Sequence, residues 1–173
     1  MTASPIIAFY SGTGTDDRGR TLDEILRWDD AQIEQVHDFI QWLFPLPTRS
    51  AYNPYAPLLT QADIAALRET AALQERVHGA FERMLAFYGF ERGEEKCGPV
   101  IREARSFPAQ SRVWLTPGNH NFLRISRILQ FLVLAGMAPA AQAFWQALAE
   151  VYRSNPRIIG EKTAHFWREA AGA

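Results

Sequence analysis

Three side chains with ionic chemistry, His120, Arg124 and Arg127, stand at i, i+4 and i+7, with Asn121 beside the first of them. On a helix this spacing aligns them along one stripe. The free N–H groups of a helix start, an imidazole and two forked guanidiniums together suit a carboxylate or a phosphate. Arg102, Arg105 and Arg112 precede them and could close over such an anion. The same arginines also suit inter-helix salt bridges to the acidic first half of the chain, and both readings stay open here. For the apolar end of a ligand, Trp42 and Tyr55 offer an aromatic wall, with His37 close to Trp42 in sequence. The expected ligand-binding set is therefore His37, Trp42, Tyr55, His120, Asn121, Arg124 and Arg127. A peptide or small anionic ligand is expected where the proline-rich stretch 45–59 meets the 120–127 stripe.

Other chemistries find less support. The segment Gly14-Thr15-Asp16-Asp17-Arg18-Gly19-Arg20-Thr21 has the spacing of a phosphate-binding loop. Arginine replaces the lysine that would reach the phosphates, and two aspartates would repel them, so a glycine-rich turn feeding a capped helix is expected instead. His37, His78, His120 and His165 are far apart, and no pair has zinc-helix spacing, so no metal site is expected. Cys97, next to Glu94 and Glu95, lacks the electropositive surroundings that activate a thiolate. No catalytic residue and no cofactor is assigned.

The elements that must position these residues are bounded by composition. A chain of 173 residues with 47% hydrophobic residues and a net charge of −1 is expected to be a single globular domain over 1–173, not a disordered polyelectrolyte or a nucleic-acid binder. The near-neutral total hides an asymmetry: residues 1–86 carry 7 basic and 12 acidic side chains, residues 87–173 carry 11 and 7. A single cysteine excludes an internal disulfide and fits a reducing compartment. The start of the chain lacks the pattern of a signal peptide, so a cytoplasmic location is expected. Residues 128–149 are uncharged, but Gly136 and Pro139 punctuate them, so a buried helical hairpin is expected and no transmembrane span.

Helix signals dominate along the chain. Thr21 with Glu24 predicts a capping box before a short helix, and the Asp29-Asp30 pair can cap the next one, over about 30–44. Pro45, Pro47, Pro54 and Pro57 make the following loop stiff and non-helical. Thr60 with Asp63 predicts the longest helix, to about Tyr88, with Gly89 as its stop. Residues 90–118 read as a loop. Further helices are expected from Asn119 or Asn121 to about Ala135, over 139–153 and over 160–170, giving an all-α, compact bundle of about six helices.

Four strings carry a family likeness: Phe9-Tyr10; His37-Asp38-Phe39-Ile40-Gln41-Trp42-Leu43-Phe44-Pro45-Leu46; Met84-Leu85-Ala86-Phe87-Tyr88-Gly89; and Asn121-Phe122-Leu123-Arg124-Ile125-Ser126-Arg127-Ile128-Leu129. In this order, from about Phe9 to Tyr152, they resemble the conserved region of the opioid growth factor receptor family. The resemblance is to a short stand-alone member, expected to be bacterial. It implies a receptor-like binding module; the animal receptors bind the peptide Met-enkephalin, are unrelated to seven-helix opioid receptors and are associated with the nucleus. It implies no catalytic residues. The chain shows neither the C-terminal repeats nor the basic import cluster of the animal form, so nuclear signalling is not expected of it; a compact member is expected to keep the fold and a ligand groove, for a ligand that need not be an opioid. Two other classes stay open. One is an enzyme on an anionic substrate, with His120 or His37 as acid/base and the arginines as clamp; the other is an interaction scaffold using Trp114 and the 90–118 segment. The oligomeric state is not legible.

Overall fold

The computed structural model describes residues 4–173, which divide into two compact units, the first reaching to Arg83 and the second Met84–Ala173. Within the first lie α1 (Pro5–Ser11), α2 (Leu22–Leu26), α3 (Asp30–Gln35), α4 (Ile40–Leu43) and α5 (Gln61–Glu69), and the division falls inside α6 (Ala71–Tyr88). The expected capping boxes form: the Thr21 side chain accepts from the Glu24 amide while the Glu24 carboxylate accepts from the Thr21 amide, and Thr60 with Asp63 repeats the exchange. Asp29 caps α3 in the same way with Gln32. Each reciprocal pair satisfies amides that a helix start leaves without partners.

Two expected helices are each broken in two. The stretch 30–44 is interrupted at Val36, whose backbone is extended, and 61–88 at Thr70, also extended. The core of this unit is aromatic. Phe9 lies 5.5 Å from Trp42 and Trp28 lies 5.4 Å from Phe39, centroid to centroid, and the buried Tyr10 hydroxyl donates to the Leu43 carbonyl. Gly14 packs against the end of α1, its amide bonded to the Ala8 carbonyl at 2.9 Å; a Cβ there would come within 2.9 Å of the Ala8 Cβ.

The second unit begins with a hairpin, β1 (Phe90–Glu95) and β2 (Gly98–Glu103), followed by α7 (Phe107–Trp114), α8 (Asn121–Leu134), α9 (Ala138–Ser154), α10 (Pro156–Ile159) and α11 (Glu161–Ala170). The strands are antiparallel, from Phe90 opposite Glu103 to Glu95 opposite Gly98, so Lys96 and Cys97 form a two-residue turn. Gly98 follows the turn with φ 115°, a conformation side chains resist. Tyr88, Phe90, Trp114 and Phe144 pack into one cluster, with Tyr88 edge-on to Trp114 at 5.6 Å and Phe90 edge-on to Phe144 at 5.7 Å. Trp167 of α11 donates to the Phe122 carbonyl at 3.0 Å, tying α11 to α8.

The expected all-α bundle of about six helices is thereby corrected. Among the described residues there are eleven helices and a two-stranded sheet, a mixed α/β but mostly helical fold, about 60% helix. The hairpin escapes sequence reading because Glu91, Arg92, Glu94 and Glu95 give β1 no apolar alternation. The uncharged run 128–149 is divided as expected, with α8 ending at Leu134, Gly136 at φ 84° and Pro139 in the first turn of α9. No helix among the described residues is long and apolar enough to cross a membrane.

Candidate functional site

The start of α8 gathers five polar side chains of the second unit. The Asn121 Oδ1 accepts from Arg124 at 3.3 Å and from the Tyr88 hydroxyl at 3.4 Å, while its Nδ2 lies 3.4 Å from His120 Nε2 and donates to Asn119 at 3.0 Å. The fold thus brings together His120, Asn121 and Arg124. Asn121 is fully buried and Arg124 only 5% exposed, so the arginine does not lie on the open stripe that its spacing suggests. α8 is buried around most of its circumference, with Leu123 and Gln130 its exposed residues. Arg127, one turn from Arg124, is half-buried, and burial pushes its guanidinium below the ordinary arginine range.

The other three expected residues lie in the first unit. His37 is exposed between α3 and α4, and Tyr55 is 86% exposed in the proline-rich loop. Trp42 is a core residue, packed on Phe9 with its Nε1 donating to Asp17 Oδ1 at 2.9 Å. Trp42 and Tyr55 therefore differ in access to solvent, one inside the unit and one on its surface. Trp114, expected in an exposed scaffold patch, is fully buried, and its Nε1 donates to the Tyr88 carbonyl at 3.0 Å.

A further constellation in the first unit was legible only as a turn. The Asp16 carboxylate, its side chain fully buried, accepts the backbone amides of Arg18 and Arg20, each at 2.9 Å, and Arg20 Nε at 2.6 Å. Two amides and a cation converge on an anion, as in a phosphate-binding loop, but the anion belongs to the chain. Arg20 continues to Asp38 at 2.9 Å, Arg18 reaches the same carboxylate at 3.1 Å, and the Arg20 guanidinium lies 5.3 Å from the Trp28 ring centre. Burial works against the ionised Asp38, but the hydrogen bonds and charges of Arg20 and Arg18 outweigh it, so the carboxyl is held below its ordinary range. For Arg20 burial is likewise opposed and overcome, by Asp38 and Asp16, and its basicity rises. Asp16 itself, an acid set two residues into a Gly-x-x-x-x-Gly loop, was the available signal.

Among the described residues no group of three or more His, Cys, Asp or Glu side chains could hold a metal ion. Fold and polar cluster define a mostly helical α/β protein with a hydrogen-bonded His-Asn-Arg group at a helix start. The chain belongs to the opioid growth factor receptor family: the profile described as "Opioid growth factor receptor (OGFr) conserved region" matches residues 6–152. It is 37% identical over 122 residues to the rat opioid growth factor receptor and 36% identical over 124 residues to the human one, in each case over 69% of this chain. It is 38% identical over 118 residues, 66% of this chain, to opioid growth factor receptor-like protein 1 of Xenopus tropicalis. The matched regions span 20%, 18% and 22% of those relatives, so the chain corresponds to about a fifth of their length. No solved structure matches it.

Proposed function

We propose that this chain is a receptor-like binding module that recognises a peptide or small anionic ligand and acts in the cytoplasm. The observation that carries the reading is the cluster at the start of α8, in a chain whose relatives are called receptors. Arg124 is held by Asn121, and Arg127 sits where partial desolvation strengthens its attraction for a carboxylate. In this reading the half-buried His120 and Arg127 receive the anionic end, and the buried Asn121 and Arg124 form the hydrogen-bonded group behind them.

Calorimetric titration with Met-enkephalin and with its C-terminally amidated form tests this. We expect the free carboxylate to bind more tightly, and Arg127→Ala to weaken it about tenfold, the worth of one charge-assisted hydrogen bond. If Arg127→Ala unfolds the protein, or binds as the parent does, Arg127 is a structural residue and this assignment fails.

A further inference from the structure

An open groove of about 380 Å³ runs between α9 and α11 in the second unit. From α9 it is lined by Trp145, Ala149, Tyr152 and Arg153, at i, i+4, i+7 and i+8, one face of that helix. From α11 come Glu161, Ala164, His165 and Arg168, again one face. The hollow has a simple origin: each helix contributes an alanine to this face, and the larger half-buried Trp145 and Tyr152 flank the space left free. Glu161 to Arg168 lie beyond the family-matched residues 6–152.

We propose that this groove binds a small aromatic carboxylate, at a site separate from the cluster on α8. The rings and alanine methyls suit a flat apolar body, and the volume lies at the low end for ligand sites, enough for one or two rings. The charges select the other end of the ligand. Arg153 is paired with Glu150 at 2.5 Å, whereas Arg168 has no carboxylate partner among the described residues. Arg168 instead donates to His165 Nδ1 at 3.3 Å, and the opposite ring nitrogen, Nε2, lies 3.2 Å from Glu169. With Nδ1 accepting, the proton sits on Nε2 and points at Glu169, so the two contacts orient a guanidinium whose remaining donors are available. Glu161 stands seven residues away on the same helix, about 10 Å along its axis, and disfavours a second negative charge. One available guanidinium, with Glu161 along the helix and Glu169 beside His165, favours a monoanion over a phosphate or polyanion.

The test is a calorimetric titration of the full chain with indole-3-acetate, beside its uncharged analogue indole-3-acetamide. We expect saturable one-to-one binding of the acid and about tenfold weaker binding of the amide. Arg168→Gln, at an exposed position, should bring the acid down to the amide's affinity. Ala149→Leu should fill the hollow and abolish binding of both compounds, with the far-ultraviolet circular dichroism of each variant unchanged. Arg127→Ala should leave this binding intact, so the outcome is distinct from that of the α8 cluster. Absence of saturable binding, equal affinity for acid and amide, or indifference to Arg168→Gln would overturn the proposal.

Discussion

A carboxylate with no solvent exposure is costly unless its acceptor sites are filled, and Asp16 fills them with two amides and Arg20. Removing it leaves three donors facing an empty space, so Asp16→Ala should cost about 3 kcal/mol. Urea titration should show this as a lower midpoint at unchanged slope. A midpoint equal to the parent's would mean that the loop is held by other contacts. Asp38 gives a pH signature. Its folded-state value is depressed, so its contribution is complete above the ordinary aspartate value of about 3.9 and is lost as pH falls below that, through the folded value. Asp38→Asn should therefore flatten part of the acid-side decline in stability below about pH 4 while changing little of its shape near neutrality. At this scale the sequence reveals residue types but not access. The spacing of Arg124 and Arg127 on one helix is correct, yet whether a guanidinium faces water or the interior depends on what surrounds α8, which spacing does not encode.

Helix starts were the most legible elements, because a capping box is a local exchange between side chains three residues apart, as at Thr21 and Thr60. Interruptions were illegible where no proline or glycine marks them: Thr70 turns extended between α5 and α6 while the apolar spacing continues through it. Gly89 is a marked stop whose importance exceeds its cue. It has φ 86°, and a Cβ would lie 2.6 Å from the Phe107 Cα, a backbone atom that cannot swing aside. Gly89→Ala should therefore lower stability by more than about 2 kcal/mol, combining left-handed strain with displacement of α7. Gly118→Ala is the control, since Gly118 has φ 68° but nothing within 4 Å of the added carbon, and should show the strain alone, about 1 kcal/mol. Thermal unfolding of the two variants compares them directly; equal losses would show that the Phe107 contact is accommodated.

For the molecule as a whole, composition indicates one near-neutral chain with an acidic first half and a basic second half. Reading 1–173 as a single domain makes a testable claim about cooperativity. Near-ultraviolet circular dichroism, reporting buried aromatic groups such as Trp42 in the first unit and Trp114 in the second, should change with denaturant in one transition that coincides with the far-ultraviolet signal. Two separated transitions would make the units independent domains. Helical character was legible at this scale because apolar periodicity and caps recur along the chain; the hairpin was not, because pairing between β1 and β2 rests on backbone bonds and a two-residue turn more than on side-chain pattern. That turn has a chemical consequence of its own. Its exposed Cys97 is the chain's sole thiol, which makes the protein monovalent toward oxidation. Two copies can join through it and then growth stops, so larger cross-linked species on a non-reducing gel must contain another protein, and a maleimide dye attaches at one defined address.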